Sequence, residues 1–252
     1  MANPYETDRL LAEYLLFHYG KPEEVLSWPF GPSEALDFAS RVVTECLDLA
    51  ALPADGRALD LGCAVGRSSF ELARHYREVV GIDFSANFVR AATALREHGS
   101  LPFLRTDEGQ LITPLTATVP ADIDRSRVNF EIGDACDLRA DLGTFDAALL
   151  INLIDRLPEP QRCLDRLPNL LRPNAQLVIA SPFTWLEDYT PTDRWLGGYE
   201  QDGKRVSTFD VLREKLAPNF DFVRSVNVPF LIREHARKFQ WSVSLAGVWR
   251  RR

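Results

Sequence analysis

The sequence predicts an α/β fold, a mainly parallel sheet covered on both faces by helices. Three observations carry this reading. Short continuous apolar stretches, such as "RALDL" at 57–61 and "FDAALLINL" at 145–153, read as strands buried on both faces. Amphipathic stretches of helical spacing alternate with them. A chain of 252 residues, 46% hydrophobic and 26% charged, suits one such domain with an added cap.

The elements follow in order. A first helix starts near Pro4, with Asn3 or Thr7 as its capping residue, and Gly20 ends it. Leu10, Leu11, Tyr14, Leu15 and His18 fall on one side of it. A Pro/Trp/Phe loop over 21–32 leads to a second helix, opened by Pro32 or Ser33 and running to about Ala50. Strand "RALDL" is followed by helix "RSSFELARHY", and strand "EVVGID" by helix "SANFVRAATALREH". Strands "RVNFEIGDA" and "FDAALLINL", helix "EPQRCLDRLPNLL" and strand "AQLVIASPF" come next. Helix "TFDVLREKLA" precedes "FDFVRSVNVPF" and "FQWSVSLAGVWR", which read as an antiparallel pair at the sheet edge. Two stretches break the rhythm: residues 99–127, and residues 182–206, rich in aromatics and glycine. Each reads as a lid or as a surface excursion. One domain over 1–252 is expected, with a helical cap at 1–50 and the α/β core at 51–252.

Charge and cysteine use narrow the function classes. A formal charge of −7 with no Lys/Arg stripe disfavours a phosphate backbone as partner, so nucleic acid is not expected. Cys46, Cys63, Cys136 and Cys163 form no C-x-x-C pair and have no His cluster beside them, which disfavours disulfides and a zinc site. No metal is expected. The N-terminus is too polar for a secretion signal, and no apolar run is long enough to span a bilayer, so a cytoplasmic location without membrane contact is expected.

The chemistry gathers at "ALDLGCAVGRSSFELA", residues 58–73, a strand turning through small residues into a helix. The phosphate-loop pattern fails, because Gly62 and Gly66 lack the spacing and no Lys follows. The dinucleotide pattern fails at Ala64 and Arg67, which disfavours an oxidoreductase. Asp60 adds a physical objection, since a carboxylate beside a helix N-terminus competes with a pyrophosphate for the same field. A ligand with an ammonium group and no phosphates suits this loop better. Asp83 ends the second strand, where an acid can accept from both ribose hydroxyls. Asp134 stands beside Ala135 in "GDACDL", placed to receive an adenine amino group. The three acids are expected at C-terminal strand ends, where open α/β sheets bind ligands.

This pattern resembles S-adenosylmethionine-dependent methyltransferases. Asp60, Leu61, Gly62, Cys63, Ala64 and Gly66 match their first motif, with Ala64 where the central glycine of D-x-G-x-G-x-G is usual. Asp83, with Phe84 and Ser85, matches their ribose-binding acid, and Asp134 and Ala135 their adenine-contacting segment. The resemblance implies a Rossmann-like class I fold, a mainly parallel seven-stranded sheet with an antiparallel C-terminal edge strand and an N-terminal helical cap. It implies S-adenosyl-L-methionine as cofactor and S-adenosyl-L-homocysteine as product. "NPYETDRLLAEYLLFHYG", "SPFTWLEDYTP", "WLGGYE" and "FLIREHARKFQWSVS" resemble a narrower group, the ovothiol-pathway mercaptohistidine N-methyltransferases. That likeness covers nearly the whole chain. It implies a stand-alone enzyme that methylates an imidazole nitrogen of 5-thiohistidine to give ovothiol A, with a sulfoxide synthase of the same pathway as a partner. Another small amine, acid or imidazole as acceptor, or a non-catalytic partner of the synthase, are the competing readings.

Position supplies the remaining candidates. Asn152 and Asp155 lie just beyond the fourth strand, at the mouth of the site, Asn152 beside the cofactor as well; with His18 they are the catalytic candidates. Tyr14, His18 and Tyr19 on the first helix, Phe183 and Trp185 after the fifth strand, Tyr199 in the glycine-rich loop, and Arg233 and His235 between the last strands are the substrate-binding candidates. Each has a plainer alternative. Tyr14 reads equally as core, His18 as a helix-end dipole partner, Trp185 and Trp195 as lid packing, "REHARK" as a solvated face. Cys63 and Cys136 read as packing residues, and no covalent intermediate is expected.

Overall fold

A computed structural model gives the structure of residues 4–53 and 55–252; the alternative cap Asn3 lies outside the described residues. The first helix, α1 (Asp8–Tyr19), is capped by Thr7, whose hydroxyl accepts from the Leu10 amide at 3.3 Å. It is followed by α2 (Pro22–Val25), inside the stretch expected to be loop, and α3 (Phe38–Cys46). The second helix is shorter than expected because Asp37 is left-handed, at φ 55°, which separates α3 from the turn at 33–35.

The α/β core then runs β1 (Arg57–Leu61), α4 (Arg67–Leu72), β2 (Glu78–Asp83) and α5 (Ala86–His98). A hairpin of β3 (Ser100–Glu108) and β4 (Leu111–Thr118) comes next. The chain continues through β5 (Val128–Ile132), β6 (Phe145–Ile151), α6 (Pro160–Leu170) and β7 (Leu171–Ser181). A second, small hairpin of β8 (Tyr199–Gln201) and β9 (Lys204–Val206) precedes α7 (Thr208–Leu216), β10 (Phe220–His235) and β11 (Lys238–Arg251).

The seven-stranded sheet has the order β10-β11-β7-β6-β1-β2-β5. From β7 to β5 all pairings are parallel, while β11 is antiparallel to both β7 and β10. One detail differs from expectation: the antiparallel C-terminal strand is not the edge. β11 inserts between β7 and β10, where its "SLAGVW" segment is covered on both faces, and β10 takes the edge.

Strand alternation sorts the core into two layers. Ala58 on β1 packs with α3, α4, α5 and the cap, while Leu59 and Leu61 pack with α6 and α7. Residues 99–127 are neither lid nor free excursion. Phe103, Ala117, Val119 and Ile123 join the first layer, and the hairpin holds the cap, with Arg105 donating to the Glu24 carbonyl at 3.0 Å. Residues 182–206 are tied down by Trp185 and Leu196, buried in the second layer.

Candidate functional site

The site is built where β1, β2, β5, β6 and β7 end. After β1 the chain turns through Gly62 (φ 73°), Ala64 (φ 48°) and Gly66 (φ 83°) into α4. Ala64 holds a left-handed conformation that costs a residue with a Cβ about 1–2 kcal/mol. Gly66 is required for space, since a Cβ there would meet Phe130 at 2.5 Å. The amides of Gly62 and Cys63 donate to the Ile82 carbonyl at 2.8 and 3.2 Å, and that of Ala64 to Asp83 Oδ2 at 2.8 Å. Leu61 is fully buried, and Cys63 is a buried thiol whose pKa burial pushes up, so both pack the turn.

Asp83 sits half-buried at the end of β2, its other oxygen accepting from the Ser85 amide at 2.9 Å. The Ser85 hydroxyl caps α5 by accepting from Phe88 N and donates to the Tyr5 carbonyl. Burial, ahead of any partner, raises the Asp83 pKa. On the neighbouring strand, Ile132 pairs with Asp83 in register, and Asp134 follows, accepting from Cys136 N at 2.8 Å with Ala135 buried beside it. Between the two acids the rim is bare: Phe84 is 67% exposed and Ile132 60%. Two uncovered apolar side chains between two hydrogen-bond acceptors fit the flat adenine of a nucleoside. Cys136 is packed, its thiol against the Glu159 carbonyl.

Asp60 departs from the expected row of rim acids. It lies one residue inside β1, on the side facing α4, so α4 covers it. It is 1% exposed and accepts from Ser69 Oγ at 2.6 Å. Burial drives its pKa up to about 7. The rim therefore displays two of the three acids, with the third beneath it.

Beyond β6 and β7 the chain bends sharply, with Asn152 (φ 53°) and Phe183 (φ 52°) both left-handed. Asn152 is half-buried and its Oδ1 accepts from Ser244 Oγ at 2.6 Å. Asp155 is 1% exposed; its Oδ2 accepts from Arg156 Nη1 and the Thr184 amide, at 2.9 and 2.8 Å. Its Oδ1 is buried without a partner among the described residues.

A cluster of rings covers this end. Tyr14 meets Phe88 at 4.7 Å between centroids, His18 at 5.9 Å and Tyr5 at 6.1 Å, and Tyr5 meets Tyr189 at 6.2 Å. The phenols of Tyr14 and Tyr189 both interact with that of Tyr5. Burial pushes Tyr14 up to about 12, so it remains a donor at neutral pH. His18 is driven down to about 3 by burial and then by Arg67, which keeps its ring neutral and makes it a poor proton acceptor. Its Nδ1 has no partner among the described residues. The Tyr19 hydroxyl donates to the Val65 carbonyl at 2.8 Å, pinning α1 to the cofactor turn.

Four expected substrate residues are placed elsewhere. Trp185 is buried, stacked on Trp195 at 6.1 Å, and its Nε1 donates to Thr208, so it packs the excursion onto α7. Tyr199 is exposed on the β8–β9 hairpin. Arg233 is buried and holds the cap, donating to Asp107, Ser27 and the Glu24 carbonyl. His235 accepts from the Arg237 amide in the β10–β11 turn. Phe183 stays near the rim but packs its ring on the second layer. Sequence reasoning missed Tyr5, Tyr189, Arg156 and Ser244. Tyr5, Tyr189 and Ser244 lie inside the stretches that carry the family likeness, but nothing in their spacing singled them out.

Among the described residues no helix is long and apolar enough to cross a membrane. The methyltransferase-domain family matches residues 59–177. Ajmaline N-methyltransferase of Rauvolfia serpentina is 25% identical over 167 residues, 64% of this chain and 49% of that protein. A ubiquinone biosynthesis O-methyltransferase of Xanthomonas axonopodis pv. citri (strain 306) is 26% identical over 152 residues, 60% of this chain and 53% of that protein. The chain thus spans about half the length of the curated relatives it matches. In fold it is similar to the N-methyltransferase NodS of Bradyrhizobium japonicum, solved in complex with S-adenosyl-L-homocysteine. That likeness has a TM-score of 0.53 and 15% identity, covering 96% of this chain and 98% of that one. Sheet order and the glycine turn give the chain the Rossmann-like fold of class I methyltransferases, and residues 59–177 match a methyltransferase domain, of the kind whose cofactor is S-adenosyl-L-methionine.

Proposed function

We propose that the protein transfers the methyl group of S-adenosylmethionine to an imidazole nitrogen of 5-thiohistidine, giving ovothiol A. The observation that carries the reading is the cluster of Tyr5, Tyr14, His18 and Tyr189 rings over the strand ends, beside the bare Phe84–Ile132 rim. Phenols and an imidazole gathered beside that rim suit a small polar ring rather than a polymer. The likeness of the chain's motifs to mercaptohistidine N-methyltransferases supplies the identity of that ring.

When bound, the cofactor supplies a methyl group made electrophilic by its sulfonium. The residues of this chain align and select. Asp83 would accept from the ribose hydroxyls, and Asp134 from the adenine amino group, with Phe84 and Ile132 against the base. The transfer is an in-line displacement, so holding donor and acceptor in one line is much of the work. Selectivity is the harder task, because a thiolate is the better nucleophile. Buried phenols that stay protonated would hold the acceptor's sulfur as hydrogen-bond donors and blunt it. His18, neutral at working pH, would orient rather than take a proton. The sulfoxide synthase of the same pathway would supply the thiol.

The test is direct. The purified chain, given S-adenosylmethionine and 5-thiohistidine, should yield a product methylated on nitrogen. Methylation on sulfur alone, or no product between pH 6 and 9, defeats the assignment. A second reading, another small amine, acid or imidazole as acceptor, is favoured by relatives that include both N- and O-methyltransferases. Comparing turnover of thiohistidine and histidine separates the two. Failure of S-adenosylhomocysteine to bind in calorimetry would instead favour a non-catalytic partner of the synthase.

A further inference from the structure

We propose that Arg156 recognises a carboxylate on the methyl acceptor through its Nε–Nη2 edge, and thereby sets which small molecules the site admits. The inference rests on the methyltransferase reading above and adds the residue that selects the acceptor class.

The argument starts from how Arg156 is held. Among the described residues it makes three hydrogen bonds, and the two N–H groups of Nη1 are shared among the three acceptors. They run to the Asp155 carbonyl at 2.9 Å, to Asp155 Oδ2 at 2.9 Å and to the Thr184 carbonyl at 2.6 Å. Among the described residues, Nε and Nη2 make none. Asp155 is itself fixed by the Thr184 amide. The guanidinium lies over the Tyr189 ring, 5.0 Å from its centroid. Three bonds and a ring face immobilise a side chain that is 23% exposed, yet its opposite edge is left without a partner.

The chain shows elsewhere what that edge does. Arg57 grips both carboxylate oxygens of Glu78 with Nε and Nη2, at 2.9 and 2.7 Å. Arg139 grips Glu131 the same way, at 2.9 Å on each arm. Two parallel N–H groups match the two oxygens of a carboxylate, and a rigid fork loses little entropy in binding one. At Arg156 the fork is set, and no acid among the described residues enters it.

Its surroundings belong to the ring cluster. Arg156 follows Asn152 by four residues at the end of β6. Its charge reaches the phenols of Tyr5 and Tyr14, pulling against the upward push that burial gives both. Asp155 offsets part of the guanidinium charge, so specificity comes from the paired N–H geometry rather than from net field.

The experiment compares acceptors in pairs that differ only by the carboxylate. 5-Thiohistidine is set against its decarboxylated amine, and histidine against histamine. Each is assayed for turnover and for binding to the S-adenosylhomocysteine complex, with the wild-type chain, Arg156→Lys and Arg156→Met. The wild type should favour the carboxylate member of each pair at least 30-fold, mainly through KM. Arg156→Lys should lose tenfold or more of that preference and Arg156→Met nearly all of it, while activity toward the amine survives. S-adenosylhomocysteine affinity should stay within threefold in both variants. Equal handling of the pair members by the wild type overturns the proposal, whatever the variants do. So does an equal loss toward both members in variants that still bind S-adenosylhomocysteine. If thiohistidine is not methylated at all, that acceptor assignment falls, and the binding comparison still decides the role of Arg156.

Discussion

The backbone N–H of Ala64 donates to Asp83 Oδ2 at 2.8 Å, so the acid that ends β2 is built into the turn that follows β1. One carboxylate therefore shapes the turn after β1 and stands at the rim. Asp83→Asn replaces one accepting oxygen by a donor that must face the amide of Ala64 or of Ser85. S-adenosylhomocysteine affinity should fall about 10- to 100-fold, with about 1 kcal/mol of stability lost. Calorimetry and thermal melting check the two effects, and an unchanged affinity would remove Asp83 from the site.

Asn152 is left-handed and is the partner of the buried Ser244 hydroxyl. Asn152→Gly keeps the backbone unstrained and removes only the carboxamide. Leaving Ser244 without a partner costs about 1 kcal/mol. With saturating cofactor, kcat should drop about 100-fold, the scale of losing one positioned polar group at a reacting centre. A drop of less than threefold would show that Asn152 only shapes the turn.

Asp60 makes stability depend on pH. Unfolded, the carboxyl ionises at about pH 4; folded, burial moves this to about 7. Between those values the folded chain holds a proton that the unfolded chain has lost. The contribution is full below about pH 4 and disappears as pH rises to about 7. Asp60→Asn should flatten this dependence by up to ~1.4 kcal/mol per pH unit. Urea unfolding between pH 4.5 and 8 reads it; parallel slopes in the two proteins would place the charge elsewhere.

His18 has the opposite sign. Its folded value, about 3, lies below the unfolded one, so its contribution is present above about pH 6.5 and is lost as pH falls toward 3. His18→Gln should lessen acid sensitivity below pH 6. The same variant should leave the pH profile of kcat unchanged in shape above pH 5. Disappearance of an inflection near neutrality would restore His18 as a proton acceptor.

Much of the frame was legible in the residues because it rests on local rules. The strand stretches, the helices between them and the turn at Gly62 and Gly66 follow from periodicity and from backbone demand. Asp83 and Asp134 follow from where parallel strands end. Register and the relation of distant segments were not legible. Asp60 reads as a rim acid until alternation along β1 turns it beneath α4. The C-terminal strand reads as an edge until β11 is seen to insert beside β7.

The ring cluster and Arg156 lie further from the sequence. Tyr5, Tyr14, Arg156 and Tyr189 stand on four segments, none of which carries a spacing that names the others. Arg233 and Arg156 look alike in the chain. Folding buries the first among cap carbonyls and Asp107, while among the described residues the Nε–Nη2 edge of the second, partly exposed, has no partner. The sequence by itself determined the α/β frame, the phosphate-free turn and the strand-end acids, because nearest neighbours dictate those. Only the tertiary structure decided which polar groups face ligand, because that depends on what the rest of the chain packs against each of them.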